Sequence, residues 1–340
     1  MKTFISLFAL FLSLSLTAQS NTANWYYNNT SFDGIQSPTN TASGGRSVAM
    51  GDYTTASGGF STAMGTYTTA SGWASTAMGE YTTASGSHST AMGYFTAASG
   101  TYSTAMGGAT TASGTSSTAM GGGTTASGTS STAMGSSTTA SGTSSTAMGS
   151  GTTASDFGSL SIGAYNSVNS SVTGNAGAFN LANAAFVIGN GTASNAKSDA
   201  FVVYFNGNAT LAGDLTINSD ARLKDNIQPL GSTLDKLHQI EGKTYTFLKD
   251  EEHTPKIGVL AQEVQAVFPE LVTEGADGIL SVNYQGLVPV LINAINEQEL
   301  KMLEQDAKIS EQDAKIAALE EMVRFLAVQQ SQATSSVASN

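Results

Sequence analysis

The chain has 340 residues, and 13 Lys and Arg stand against 25 Asp and Glu, which gives a formal net charge of −12. This acidic balance argues against nucleic-acid binding, and the absence of cysteine excludes disulfides and thiolate metal sites. The histidines, His88, His238 and His253, are far apart in sequence, so we predict no metal site and no cofactor.

The N-terminal sequence MKTFISLFALFLSLSLTAQS contains an apolar run from Phe4 to Leu16 followed by Thr-Ala-Gln. It predicts a secretory signal peptide over residues 1–18, and hence a secreted mature protein that begins with a lead-in over residues 19–40. The alternative is a membrane anchor, but the run is too short to span a bilayer comfortably. No later segment is long and apolar enough to cross a membrane, so we expect no membrane span in the mature chain.

A period of fourteen residues fills Thr41–Thr152 and is repeated eight times without a gap. Each copy contains a seven-residue unit, S/T-x-A-M/S-G-x-x, twice. The alternation predicts a short strand, and Gly with two variable residues predicts a turn. A flexible linker is the alternative for a Gly/Ser/Thr tract, but a linker has no reason to hold methionine at a strict spacing. The methionines are Met50, Met64, Met78, Met92, Met106, Met120, Met134 and Met148.

Side chains alternate across a strand, so Ser75, Ala77 and Gly79 share one face, while Thr76 and Met78 share the other. Alanine recurs in both half-units, which predicts one narrow interior. Serine replaces methionine in the second half-unit, so we expect the Ser side to face water and the Met side to face an apolar partner. We therefore predict a homotrimer in which three methionine columns meet on an axis. At about 4.8 Å per coil the stack is roughly 40 Å long.

These S-x-A-x-G heptads resemble the head repeats of trimeric autotransporter adhesins (YadA-like). The resemblance implies a mainly β fold, a left-handed parallel β-roll solenoid that is trimeric. We place the head at residues 41–155, with the resemblance fading through Phe157–Gly163. The sequence departs from the family by using Met where those heads often use Ile or Val, and no membrane-barrel anchor of that family follows.

Aromatic residues occupy the same turn position in four successive coils, and further rings are expected in the same region. The first four are Tyr53, Tyr67, Tyr81 and Phe95, and the others are Phe60, Trp73, Tyr94 and Tyr102. One interpretation is a self-stacking ladder. The other is a contact patch for a sugar or another surface, with the first four and Trp73 as candidate binding residues. The Thr-rich array also raises an antifreeze-like solenoid as a minor alternative.

Residues 156–218 lose the strict period but keep short apolar runs at Ala185–Gly189 and Phe201–Phe205. Asn-Gly pairs after these runs mark turns. This segment therefore predicts a β stalk that continues the head and ends near Asn218.

The composition changes at residue 219, where SDARLKDNIQPL (219–230) opens a charged region. It is followed by KIGVLAQEVQAVFPELV (256–272) and by VNYQGL (282–287). Together these strings are similar to the C-terminal intramolecular chaperone domain of endosialidase and other phage tail spikes, which is a self-cleaving serine peptidase. The resemblance covers residues 219 to about 325 and implies an intramolecular chaperone for trimerisation.

The resemblance implies that Ser219 matches the family's nucleophile and that Lys224 matches its general base. A serine hydroxyl needs a base to attack an amide, and lysine can serve where burial favours the neutral amine. Residues five apart share neither a helix face nor a strand face, so a turn or a neighbouring chain must join them, and Asp220 and Asp225 must point away. We expect a single cut at Asn218–Ser219, although a cut before Asp220 stays open, and no enzyme turnover. A retained, uncut domain is the alternative.

The region 219–290 predicts a small α/β unit, in which Pro269 and Glu270 end the second helix. Its predicted helices are Ser232–Gln239 and Gln262–Phe268, and its predicted strands are Lys243–Phe247 and Ile257–Leu260. A long helix is expected from about Leu287, with a coiled coil over 291–328 and a disordered tail over 329–340.

Apolar residues recur every seven positions along this helix, which predicts a coiled coil. Position a holds Ile295, Met302, Ile309, Ile316 and Val323, and position d holds Gln298, Gln305, Gln312, Leu319 and Leu326. Three glutamines at d weaken the seam but could fix its register and oligomeric state.

Nearly identical repeats specify their register poorly, and parallel strands that are distant in sequence pair slowly. A C-terminal coiled coil and chaperone domain would align three chains before the head forms. The sequence therefore predicts a secreted, extracellular or cell-surface homotrimeric fibre, adhesin-like and structural, that self-cleaves at Ser219. The alternative is a carbohydrate- or surface-binding fibre that keeps a non-cleaving trimerisation domain.

Overall fold

A computed structural model describes residues 26–28, 34–167, 176–248 and 253–337. The predicted signal peptide and the start of the lead-in lie outside the described residues. The chain divides into two compact units, with the boundary after Ile217. Each unit is described by itself.

The first unit is a parallel β-roll of nine coils, and each coil contains one short and one long strand. The long strands are Val48–Asp52, Thr62–Thr66, Thr76–Glu80, Thr90–Tyr94, Thr104–Gly108, Thr118–Gly122, Thr132–Ser136, Thr146–Ser150 and Leu160–Ala164. The short strands are Thr41–Ala42, Thr55–Ala56, Thr69–Ala70, Thr83–Ala84, Ala97–Ala98, Thr111–Ala112, Thr125–Ala126, Thr139–Ala140 and Thr153–Ala154. Equivalent residues pair from coil to coil, as Ala91 pairs with Ala77 and Ala105, and Met92 with Met78 and Met106.

Alanine fills the roll interior, as the sequence predicts. Ala77 and Ala84, from the long and short strands of one coil, are both fully buried, and so is the equivalent pair in nearly every other coil. Ser75 and Thr82 point into the same interior. Because both sheets contribute only small side chains, the layers approach closely and leave no room for a larger residue.

Asparagine closes the short-strand side of the roll at both ends. Asn40 and Asn166 take the place that threonine holds in the intervening coils, and both are buried. The Asn40 side chain accepts from the Thr54 amide at 2.9 Å and donates to the Gly51 carbonyl at 2.9 Å. Asn166 accepts from the Thr153 amide at 2.6 Å and donates to the Thr153 carbonyl at 2.9 Å. Both side chains thus supply hydrogen bonds to backbone groups of the adjacent coil.

The long-strand sheet extends beyond the roll at both ends. Gly34–Gln36 adds in parallel to the first coil and pairs with Tyr26–Asn28 in antiparallel fashion. After the last coil, Ala184–Asn190 adds in parallel, and Asp199–Tyr204 and Ala209–Leu211 follow as antiparallel strands. The predicted stalk is thus a direct continuation of one sheet of the head, and its strands end at Leu211.

The second unit is small and mixed, as predicted. Its first helix and its first two strands are shorter than the sequence indicates, and its last helix is longer. Its helices are α1 (Leu234–Leu237), α2 (Ala261–Val267) and α3 (Leu287–Val337), and one-turn 3-10 helices span Ala221–Leu223, Pro269–Leu271 and Tyr284–Gly286. Two antiparallel strand pairs are Lys243–Tyr245 with Lys256–Gly258 and Val272–Glu274 with Leu280–Val282.

The core of the second unit lies where α2 and the start of α3 meet. Val264, Phe268 and Val290 are buried there. The α3 helix continues through the predicted tail to Val337, because the residues after Gln329 include helix-forming Gln and Ala but no Gly or Pro before that point. Among the described residues, no helix is long and apolar enough to cross a membrane.

Candidate functional site

Ser219 and Lys224 are in direct contact at the start of the second unit. The Lys224 Nζ donates to the Ser219 Oγ at 2.8 Å. The one-turn helix Ala221–Leu223 lies between them and turns the chain, which is the geometry that a separation of five residues requires. We refer to residues 219–230 as the dyad loop.

Neighbouring carboxylates in the dyad loop are engaged elsewhere. Asp220 caps the one-turn helix by accepting from the Arg222 amide at 2.9 Å, and it pairs with the Arg222 guanidinium at 2.6 Å. The Arg222 side chain, followed by its amide, holds the pKa of Asp220 below its usual value. Asp225 accepts from the amide of Asn226 at 2.8 Å. Neither acid is bonded to the Lys224 amine, so the hydroxyl is its hydrogen-bond partner.

All residues of the dyad loop are exposed in the single chain. An exposed ammonium is well solvated, whereas a general base needs a neutral amine. In the single chain, the loop therefore brings the Lys224 amine and the Ser219 hydroxyl into contact in solvent-exposed surroundings. Among the described residues, no cluster of three His, Cys, Asp or Glu could hold a metal ion.

The methionine column lies on the outer face of the long strands, opposite the alanine interior. Seven of the eight methionines are partly exposed, and Met148 is exposed. The column continues in register into Ile162 and then Ile188. One continuous apolar row thus crosses from the repeats into the connector, which the periodicity of methionine alone does not reveal.

The α3 helix presents two faces near its start. Val290 and Ala294 are buried against the second unit, and Lys301 lies 3.5 Å from Asp235 on α1. The opposite stripe is exposed, including position a at Ile295, whose side chain is 62% exposed. From Asn296 to Ser331, every α3 residue except Glu297 is exposed. An apolar stripe stabilises a helix only when it is buried against another element. The exposed stripe on α3 therefore has the pattern of a coiled-coil seam that another helix would cover.

The exposed apolar stripe also includes one residue before position 291, where the predicted coiled coil begins. Val288 and Leu291 occupy positions a and d of the preceding heptad and are 53% and 48% exposed. Two apolar layers therefore precede Ile295.

Aromatic rings lie on two separate columns of turns, so the prediction that all eight share one region is wrong. Residues seven apart belong to alternate turns of a coil. The first column carries the ladder of Tyr53, Tyr67, Tyr81 and Phe95, with Tyr94 against Phe95. The second carries Phe60 against Trp73 and His88 against Tyr102.

The ladder rings face one another. Tyr67 stacks on Tyr53 and on Tyr81 at ring-centroid distances of 5.1 Å with nearly parallel planes. Stacking occupies the flat faces that an aromatic side chain would offer to a sugar, and it leaves mainly the ring edges exposed. This geometry favours the self-stacking interpretation. Trp73, the fifth candidate binding residue, lies on the other column.

Two parts of the chain match known protein families. Residues 42–68, 70–96, 98–124, 126–152 and 140–166 match the YadA head domain repeat. Residues 219–273 match the family described as chaperone of endosialidase. Both matches agree with the resemblances predicted from the sequence. The second match begins at Ser219 and ends before α3, so it is shorter than the resemblance to about residue 325.

Similar proteins include phage tail fibres. The chain is 37% identical over 109 residues to the "Long tail fiber protein Gp37" of Escherichia phage AR1, a match that covers 30% of this chain and 9% of that fibre. It is 35% identical over 99 residues to the protein of the same name from Salmonella phage S16, covering 26% of this chain and 13% of that fibre. The match thus spans only a small part of these relatives.

Proposed function

We propose that this protein is an extracellular homotrimeric fibre whose C-terminal unit aligns three chains and then separates from the head by one self-cleavage at Ser219. The observation that carries the cleavage proposal is the 2.8 Å contact between Lys224 Nζ and Ser219 Oγ, across a one-turn helix at the start of the matched chaperone segment.

The trimer is supported by two rows of apolar side chains, one partly exposed along the head and one exposed along α3. The methionine column with Ile162 and Ile188 runs along the head, and the a/d stripe runs along α3. Three copies would bury each row against its equivalents. The names of the matched families and relatives, an adhesin head and tail fibres, support a structural protein exposed outside the cell.

The cleavage proposal is an intramolecular acyl shift followed by hydrolysis. The Ser219 Oγ attacks the Asn218 carbonyl carbon, while neutral Lys224 takes the hydroxyl proton. The Asn218–Ser219 C–N bond then breaks, Lys224 returns the proton to the leaving nitrogen, and an ester remains. Water hydrolyses this ester to give the Asn218 carboxylate and a free Ser219 amine. Burial of the dyad loop against neighbouring chains would favour the neutral amine that starts the sequence.

The test is expression of the full chain alongside Ser219→Ala and Lys224→Ala. The parent should give two bands on a denaturing gel and a native mass of three N-terminal fragments, whereas both variants should give one full-length band and a native mass of three full chains. Mass spectrometry of the fragments would decide between a cut before Ser219 and one before Asp220. A parent chain that assembles and stays intact would favour the retained-domain alternative, and a monomeric native mass would contradict the fibre.

A further inference from the structure

The short helix α1 receives its N-terminal cap from a different element. The side chain of Thr233, at its N-cap position, makes no capping hydrogen bond. Instead, the carboxylate of Glu297 on α3 accepts from the amides of Thr233 at 2.7 Å and Leu234 at 3.2 Å. It also accepts from the hydroxyls of Ser232 at 3.0 Å and Thr233 at 3.2 Å. Hydrogen bonds to an ionised acceptor are stronger than bonds between neutral groups. The bond from the Thr233 amide is the main cause that lowers the pKa of Glu297.

A second side chain on α3 extends this contact. The Asn293 Nδ2, one helical turn before Glu297, donates to the Gly231 carbonyl at 2.7 Å and to the Thr233 hydroxyl at 3.0 Å. It also donates to the Glu297 carboxylate at 2.8 Å, which holds that carboxylate in place. We call Asn293 and Glu297 the α3 clamp. It fixes residues 231–234 to α3.

The clamped segment directly follows the dyad loop. Hydrogen bonds of the loop are local, such as those between Lys224 and Ser219 and between Arg222 and Asp220. In the described part of the chain, the bond from Asn293 to Gly231 is the first after Ser219 to join this segment to another element. The clamp is therefore the point at which the position of the dyad loop becomes tied to the rest of the unit.

The clamp and the coiled-coil seam lie on different faces of α3. With Ile295 at position a, Asn293 falls at f and Glu297 at c, whereas the exposed apolar stripe occupies a and d. Helices can therefore associate along the seam without displacing the clamped segment. Because both features lie on one rigid helix, association of α3 also sets where each dyad loop is held.

We propose that Asn293 and Glu297 are positioning residues for cleavage at Ser219, and that they couple placement of the dyad loop to α3 assembly. This inference rests on the proposed self-cleavage. Neither residue touches the reacting atoms. Their contribution is to restrict the far end of a loop that has no other anchor of its own.

The first test measures the clamp independently of cleavage, in full-length chain carrying Ser219→Ala. Glu297→Gln replaces one accepting oxygen by an NH2 group that cannot accept from an amide. Amide hydrogen exchange at Thr233 and Leu234 should become roughly tenfold faster or more. The matched control is Glu304→Gln, which changes the same heptad position one heptad later, where the side chain is exposed. Unchanged exchange in Glu297→Gln would overturn the clamp whether or not the parent chain cleaves.

The second test measures cleavage in the otherwise unmodified chain. Glu297→Gln should slow appearance of the two fragments roughly 10- to 100-fold, as expected for misplaced reacting groups, while the native mass stays that of a trimer. Glu297→Asp should recover part of the rate, and Glu304→Gln should cleave like the parent. Faster exchange with an unchanged cleavage rate would overturn the positioning role. The positioning role would also be overturned if Glu297→Gln and Asn293→Ala both slowed cleavage only because the trimer no longer assembles. If the parent itself never cleaves, the proposed function fails and the positioning role with it, while the exchange result still decides the clamp.

Discussion

The roll and the C-terminal unit specify their structures in opposite ways. In the roll, a long strand pairs with the same residues in the coil before and the coil after, and the buried side chains are almost all Ala, Ser and Thr. In the second unit, contacts such as Phe268 with Val264, or Glu297 with Thr233, occur once. A slip of one coil would restore nearly every contact in the roll, whereas the second unit offers no equivalent pairing. Repeated contacts therefore stabilise the roll without fixing the register between coils, which has to be set by residues outside the repeats.

The largest expected effect comes from breaking the repeat at a glycine. Gly107 has φ of +118°, and a Cβ there would lie 2.1 Å from the Gly121 carbonyl oxygen. The obstacle is backbone of the next coil, so no side chain can move aside. We expect Gly107→Ala to destabilise the roll by about 4 kcal/mol or more, as measured by thermal unfolding of the full chain.

The matched control is the next residue in the same strand. A Cβ on Gly108 would meet nothing within 4 Å. Gly108→Ala should therefore leave the unfolding midpoint close to that of the parent. Equal unfolding midpoints for Gly107→Ala and Gly108→Ala would show that neighbouring coils can move apart to accept a Cβ. The close approach of the backbones would then not require glycine at position 107.

A smaller effect is expected from the core of the second unit. The Phe268 side chain is 2% exposed, packs with Val264 and Val290, and has the Lys236 ammonium 5.2 Å from its ring centroid. Phe268→Ala should cost about 3 kcal/mol, the lower end for a buried phenylalanine, because several of its neighbours are only partly buried. Amide exchange should increase in the second unit and stay unchanged in the roll. Phe325→Ala, at a side chain that is 60% exposed, serves as the control. Increased exchange in both units would contradict their independence.

The smallest effect is expected from one rung of the aromatic ladder. Tyr67 has φ of +52° and stacks on two neighbours, whereas Ser137 holds the same turn position at φ +53° without a ring. Tyr67→Ser should therefore keep the turn and lose stacking worth about 1 kcal/mol. Ser137→Ala is the control and should change the unfolding midpoint very little. An unchanged midpoint for Tyr67→Ser would remove the stabilising role of the ladder and favour a contact role for these rings.

Local chemistry made much of this structure predictable. The strict spacing of Ala and Met predicted a narrow interior and an outward apolar column, because alternation fixes faces without any knowledge of the fold. The five-residue separation of Ser219 and Lys224 predicted either a turn between them or help from a neighbouring chain, and the structure has the turn. The start of α3 at Leu287 followed from the onset of a long periodic run.

Contacts between distant residues were decided only by the tertiary structure. A sequence periodic in seven does not show that alternate turns lie on different columns, so the rings of Phe60 and Trp73 were placed with the wrong neighbours. Nothing near Glu297 in the sequence marks it as the cap of α1, which begins more than sixty residues earlier. Periodicity determines which face a side chain occupies, and the path of the chain determines what that face meets.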